Sequence, residues 1–108
     1  MDLYVKNFHP GGTHNLFYTD PTIIKAFKDY LAHVVLRYAN NPAVLGWELG
    51  NDLWCSSTLP ASKSCNTHTI TKWVTDICEP IIQNGFSKAN SNPELQQNIS
   101  KASIPITL

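Results

Sequence analysis

The sequence carries no excess of charge of either sign, and this excludes several kinds of partner. Eight Lys and Arg residues balance eight Asp and Glu residues among 108 residues, so the formal net charge is zero with histidine neutral. Nucleic acids and anionic membrane surfaces attract proteins with a basic excess, so we predict neither as a partner. No apolar run approaches the roughly 20 residues that span a bilayer. Residues 1–6 lack the basic and apolar regions of a signal peptide, and we predict none in this chain.

Cysteine is also scarce, and its spacing argues against a structural metal site. The three cysteines are Cys55, Cys65 and Cys78. They form no Cys-x-x-Cys pair, and no histidine stands at zinc-finger spacing, so we predict no metal and no cofactor. Cys55 and Cys65 bracket a short polar loop. They are either a disulfide formed in an oxidising compartment or two unrelated thiols, and spacing does not decide between these.

The first 38 residues divide into an aromatic segment and a helix. Residues 1–19 contain the turn cluster His9-Pro10-Gly11-Gly12 and predict an irregular segment, either a binding loop or a cover for the core. His14 within it is interpreted as a surface histidine, with a sugar contact as the alternative. Asp20 and Pro21 then suit the N-cap and the first position of a helix. Apolar residues recur at helical spacing up to Tyr38.

The remaining pattern alternates between strand and helix. Residues 43–49 are short and mostly apolar, which predicts a buried parallel strand. Residues 53–66 are polar and predict a loop. A second helix is predicted from about Thr67 to Ile77, capped by Thr67 or Thr69 and ended by Glu79-Pro80. A single strand cannot form a sheet, so this α/β chain either pairs with something absent or is a fragment.

Four stretches together resemble the fungal β-mannanases of glycoside hydrolase family 5. They are residues 4–8, 17–20, 35–42 and 47–51, and the resemblance covers about the first 77 residues. It implies a fragment of a (β/α)8 TIM barrel around strand four and its flanking helices, an incomplete barrel. Residues 1–77 would then be part of a catalytic domain, and residues 78–108 a divergent tail that we predict to be disordered. The implied partner is β-mannan or a related polysaccharide, and the implied location of the parent is extracellular.

The resemblance also implies roles for residues at the end of the predicted strand. Strand four of the family ends in Trp-Glu-Leu-(Gly/Ala)-Asn-Glu-Pro-Arg, in which the last Glu is the general acid/base and the Asn contacts the sugar 2-hydroxyl. Asn51 matches that Asn, Asp52 occupies the acid/base position, and Trp54 stands where Arg is expected. Trp54 is the best candidate for an exposed ring that stacks on sugar. The resemblance favours a disulfide between Cys55 and Cys65.

These departures from the family pattern predict that the chain alone does not perform the family's reaction. The implied reaction is retaining hydrolysis of β-1,4-mannosidic bonds, which needs two carboxyl groups roughly 5–5.5 Å apart. Asp52 is one methylene shorter than Glu. The nucleophile of the family lies on strand seven, and no part of this chain resembles strands five to eight. The alternatives are a non-catalytic carbohydrate-binding remnant and a truncated gene product without function.

Overall fold

The computed structural model describes the backbone of residues 1–38, 41–44 and 46–90, and the side chains of these segments up to residue 79. In these segments the chain forms four helices: α1 (Asp2–Phe8), α2 (Leu16–Thr19), α3 (Pro21–Tyr38) and α4 (Thr67–Asn90). None of the helices in this part of the chain is both long enough and apolar enough to cross a membrane.

The prediction of an irregular segment over residues 1–19 is wrong for α1 and α2. Both helices are short, with 7 and 4 residues. Helices of this length gain their stability from tertiary packing, which a local sequence period does not reveal. The packing residues are Val5 on α1 and Phe17 and Tyr18 on α2, all of which are buried. The predicted turn does form between the two helices, with Gly11 at a φ of +82° and the Gly12 amide donating to the His9 carbonyl.

Helix α3 begins where the sequence predicts. The Asp20 carboxylate caps it by accepting hydrogen bonds from the amides of Thr22 at 2.9 Å and Ile23 at 3.0 Å. The other oxygen of Asp20 lies 2.9 Å from His9 Nε2. The bond from the Ile23 amide, helped by those from His9 and Thr22, outweighs the partial burial of the carboxyl and lowers the pKa of Asp20. The cap therefore also ties the start of α3 to the turn after α1.

The strand predicted over residues 43–49 does not form in the described residues of this segment. Residues 42 and 43 form a turn, and residues 46–48 have no regular structure. A strand needs a neighbouring backbone to satisfy its amides and carbonyls, and the described parts of the chain hold no other strand to supply one. The larger expectation of an α/β barrel fragment stays a prediction.

Helix α4 begins at the predicted residue but is capped and ended differently. The side-chain oxygen of Asn66 accepts a hydrogen bond from the Thr69 amide at 3.1 Å, and the Thr69 hydroxyl accepts one from the Asn66 amide at 3.3 Å. This reciprocal pair is a capping box. The predicted break at Glu79-Pro80 is wrong, because the helix continues to Asn90. A proline inside a helix removes one backbone hydrogen bond, and the remaining bonds carry the helix past it. The predicted disordered tail lies outside the described residues from residue 91 onward.

The helices meet in an aromatic core centred on Trp73 of α4. Its ring lies 5.4 Å from that of Phe17, 5.3 Å from that of Tyr18 and 5.6 Å from that of Phe27, measured between centroids. Trp73 and Phe17 are each only 1% exposed. Edge-to-face and offset aromatic pairs add to the stabilisation from burial, so this cluster holds α2, α3 and α4 together.

Candidate functional site

A solvent-open cleft of about 700 Å³ lies beside this core. Asn51, Asp52 and Trp54, the three residues predicted from the sequence, all line it. Asp2 and His14 from the first part of the chain line the same cleft. The structure therefore brings the predicted residues together. It adds Asp2, which the sequence analysis did not assign to the site, and His14, for which a sugar contact was the alternative interpretation.

Asp52, which lines this cleft, occupies an unusual backbone conformation. Its φ is +49°, the left-handed region, which Asp and Asn tolerate better than most side chains. Asn51 and Asp52 are both exposed to solvent. The turn thus presents one amide and one carboxylate side by side, a pair suited to hydrogen bonds with hydroxyl groups.

Trp54 presents an aromatic surface two residues further along. Its side chain is 67% exposed, whereas an indole is usually buried in a folded domain. Its carbonyl oxygen accepts a hydrogen bond from the Tyr18 hydroxyl at 3.0 Å. The disulfide between Cys55 and Cys65 is formed, with the two Cα atoms 5.7 Å apart, and it closes the loop that follows Trp54. The ring is therefore exposed on a backbone that is fixed from two sides.

A partly buried polar network holds the far side of the same loop. Asp2 Oδ2 accepts hydrogen bonds from the amides of Thr58 at 3.1 Å and Leu59 at 3.3 Å, and from the Thr58 hydroxyl. Asp2 Oδ1 pairs with Nδ1 of His14. Burial opposes the charge of Asp2, but the bonds from Thr58, His14 and Leu59 outweigh it and hold the pKa of this carboxyl well below its usual range. Asp2 is therefore a charged anchor for residues 58 and 59.

His14 completes the network, and its position corrects the interpretation of a surface histidine. The residue is only 3% exposed, and its Nε2 lies 3.3 Å from the Tyr18 hydroxyl. Burial and the negative charge of Asp2 raise the pKa of Tyr18. No sequence period links Asp2 to Thr58, which lies 56 residues away, so only tertiary structure reveals the network.

The site contains an aromatic ring, an amide and an accessible carboxylate around one open cleft. This set suits a polyhydroxylated ligand that offers hydroxyl groups and an apolar face. In the described part of the cleft Asp2 is the second carboxylate, and its two oxygens already accept four hydrogen bonds. No group of three or more His, Cys, Asp or Glu side chains suited to a metal ion occurs among the described residues.

Comparison with known proteins points to enzymes that hydrolyse glycosidic bonds. The matches include several fungal mannan endo-1,4-β-mannosidases. Mannan endo-1,4-β-mannosidase A of Podospora anserina is 40% identical over 81 residues, which are 75% of this chain and 19% of that protein. A probable mannan endo-1,4-β-mannosidase C of Aspergillus terreus is 38% identical over 82 residues, 71% of this chain and 20% of that protein. Mannan endo-1,4-β-mannosidase A of Hypocrea jecorina is 33% identical over 79 residues, 73% of this chain and 16% of that protein.

The resemblance of this chain to fungal endo-β-1,4-mannanases is therefore confirmed over most of its length. The chain spans about a fifth of the length of the first two of these relatives. No protein-family model matches the chain, and no solved structure matches it at a significant level.

Proposed function

We propose that this chain is a segment of a mannan-hydrolysing glycoside hydrolase and that its cleft binds β-1,4-linked mannan-type glycans. The observation that carries the proposal is that Asn51, Asp52 and the 67% exposed ring of Trp54 line one cleft. The similarity to mannan endo-1,4-β-mannosidases supports the choice of glycan. The balanced net charge agrees with a neutral polysaccharide rather than a polyanion. The parent protein is proposed to act outside the cell, and its fold to be a (β/α)8 barrel.

Each of the three residues has a proposed role. Trp54 stacks on the apolar face of a sugar ring, and Asn51 hydrogen-bonds a sugar hydroxyl. Asp52 stands at the acid/base position, from which it would protonate the oxygen of the leaving sugar. Residues 1–77 would belong to the catalytic domain, with residues 78–108 divergent from it.

By itself the chain is proposed to bind glycan without cleaving it. A retaining mechanism needs a nucleophilic carboxylate roughly 5–5.5 Å from the acid/base group. Asp2, the second carboxylate of the described cleft, has its oxygens occupied by His14, Thr58 and Leu59. A carboxylate whose oxygens already accept four hydrogen bonds is not free to attack a sugar carbon.

Calorimetric titration of the chain with mannohexaose tests binding, with cellohexaose as the control glycan. We expect saturable binding of mannohexaose and weaker binding of cellohexaose. Trp54→Ala removes the stacking surface, and we expect it to weaken binding about tenfold or more, since burying an aromatic side chain is worth roughly 1.5–3 kcal/mol. Tyr30→Ala is the matched control, because Tyr30 is 55% exposed on α3 and does not line the cleft. No binding by the folded chain would reject the proposal and favour a product without function.

Release of reducing sugar from mannan tests the second half of the proposal. We expect no release above background for the chain and for Asp52→Glu, which restores the family's residue but adds no nucleophile. Release that disappears in Asp52→Asn would show that a nucleophile is present and would overturn the non-catalytic assignment.

A further inference from the structure

Gly50 comes directly before the turn that presents Asn51 and Asp52, and its missing side chain leaves room for Met1. A Cβ atom at Gly50 would overlap the Cε methyl group of Met1 and would lie 3.0 Å from Cδ2 of Leu53. The φ of Gly50 lies outside the left-handed region, so its backbone does not require glycine. The close approach of the Met1 side chain is therefore what favours glycine at position 50.

Met1 also contacts the group that holds the backbone of Trp54. Three groups surround the Tyr18 hydroxyl: the Trp54 carbonyl at 3.0 Å, His14 Nε2 at 3.3 Å and the Met1 sulfur at 3.6 Å. The backbone of Met1 is fixed as well, because its carbonyl accepts hydrogen bonds from two amides of α1 at 3.0 and 3.4 Å. Met1 thus packs between the turn after Gly50 and the Tyr18 hydroxyl.

The spacing between this turn and Trp54 matters for a glycan that uses both. Met1, Gly50, Asn51, Asp52 and Trp54 all line the cleft. A sugar ring stacked on the indole can meet the amide and the carboxylate only with hydroxyl groups that point toward them. Mannose and glucose units differ in the direction of one hydroxyl, at C2. The choice between these sugars therefore depends on where the turn lies relative to the indole.

We propose that Met1 is a positioning residue that sets the spacing between the Asn51–Asp52 turn and Trp54, and that it thereby favours mannan over glucan. The effect on glycan choice rests on the proposed function, whereas the packing of Met1 on Gly50 does not. An unbranched methionine side chain suits this role, since it fills an irregular gap between two segments of backbone. Its thioether is a weak acceptor, so packing rather than hydrogen bonding carries the role.

Nuclear magnetic resonance on the wild-type chain without glycan tests the packing. The chain has one methionine, so a carbon-13 label on methionine methyl groups gives one signal, that of Met1. We expect nuclear Overhauser contacts between this methyl group and the α protons of Gly50. A folded chain without these contacts would overturn the proposal.

Gly50→Ala tests the effect on glycan choice, because the added methyl group displaces the end of the Met1 side chain. We expect the ratio of mannohexaose affinity to cellohexaose affinity to fall about threefold or more. The matched control is Gly11→Ala. It adds a methyl group with no atom within 4 Å, strains a φ of +82° and lies away from the residues that line the cleft. The control should lose stability and keep the wild-type ratio, whereas an unchanged ratio in Gly50→Ala would overturn the proposal.

Replacing Met1 by norleucine separates its shape from its sulfur. Because the chain has one methionine, norleucine incorporation exchanges that sulfur for a methylene group and changes nothing else. We expect the wild-type ratio, since the shape is kept. Met1→Ala should lower the ratio as Gly50→Ala does, measured against a wild type that carries the same extra residue before position 1. A norleucine chain with the low ratio of Met1→Ala would overturn the packing role.

The two proposals fail in different ways. If the wild type binds neither hexasaccharide while the Met1 methyl group still contacts Gly50, the proposed function is wrong and the packing stands. If the wild type binds mannohexaose and both Gly50→Ala and Met1→Ala keep its ratio, the positioning role is wrong and the proposed function stands. The methyl contacts and the Met1 replacements decide the case even if Gly50→Ala does not fold.

Discussion

Replacing Asp2 by asparagine removes one carboxylate oxygen from a partly buried group that accepts four hydrogen bonds. The side chain of Asp2 is 15% exposed and accepts hydrogen bonds from His14, from the Thr58 amide and hydroxyl, and from the Leu59 amide. Asparagine keeps one acceptor and puts an NH2 group in place of the other. Facing Thr58 and Leu59, that group meets two amide donors; facing His14, it is accepted only if the ring proton moves from Nδ1 to Nε2.

The expected cost at pH 7 is about 2–3 kcal/mol of unfolding free energy. A hydrogen bond to a charged group contributes roughly 1.5–3 kcal/mol, and an unpaired buried donor adds a desolvation cost. The control is Asp29→Asn. Asp29 pairs with Lys25 at 2.6 Å, but both side chains are at least 66% exposed. Exposed pairs of this kind contribute about 0–1 kcal/mol, so the control should change stability by about 0.5 kcal/mol or less.

The difference between wild type and Asp2→Asn should also depend on pH. The pKa of Asp2 is lower in the folded chain than its ordinary value of 3.8. A lowered carboxyl pKa stabilises the fold above the ordinary value, and this stabilisation is lost as the pH falls below it. The difference should therefore be full at pH 7 and shrink progressively below about pH 4.

Urea denaturation followed by circular dichroism at pH 7, 4 and 3 measures both effects. The slope with urea should be equal in the two proteins, which shows that the same surface unfolds. A difference below about 0.5 kcal/mol at pH 7 would refute the anchoring role of Asp2. An equal difference at pH 7 and pH 3 would refute its electrostatic origin, and the absence of a cooperative transition would contradict the packed core itself.

Three further changes test the core, the loop and the second cap. Trp73→Ala should lower the unfolding free energy by about 3–5 kcal/mol because it empties the centre of the aromatic cluster. Trp73→Phe should cost clearly less, since the buried indole N–H has no hydrogen-bond partner among the described residues; equal losses in urea melts would contradict this account. Replacing Cys55 and Cys65 together by serine should cost about 2–3 kcal/mol, the loop-closure value for the 10-residue separation, and a thermal melt unchanged from wild type would argue against it. Asn66→Ala should cost about 1 kcal/mol and Asn51→Ala almost nothing, a contrast that calorimetric melting resolves.

Local signals in the sequence predicted α3 and α4 and the residue at which each begins, but neither α1 nor α2. Asp20 before Pro21 located the start of α3, and its cap is the one that the structure contains. The cap of α4 was assigned to Thr67 or Thr69, whereas Asn66 accepts the bond and Thr69 is its reciprocal partner. Caps one or two residues apart share the same residue types, so sequence alone does not separate them.

Non-local pairing is what the sequence did not reveal. The clustering of Asn51, Asp52 and Trp54 follows from their adjacency in the chain. Asp2 and Thr58 meet only because α1 packs beside the loop before α4, and no period records that contact. The apolar run at residues 43–49 has the composition of a strand. A strand also needs a neighbouring backbone with which to form hydrogen bonds, and the sequence of the run itself does not show whether one is present. Barrel membership and the roles of the three cleft residues remain predictions.

The aromatic core has an optical consequence. The chain has three tryptophans. Trp73 is 1% exposed and Trp54 is 67% exposed, with Trp47 between these extremes. An indole in an apolar surrounding emits at shorter wavelength than one in water, and iodide reaches only the exposed one. The emission of Trp73 and that of Trp54 therefore report separately without any label, over a contribution from the partly exposed Trp47. The short-wavelength part follows the integrity of the core, and the iodide-sensitive part follows events at the cleft.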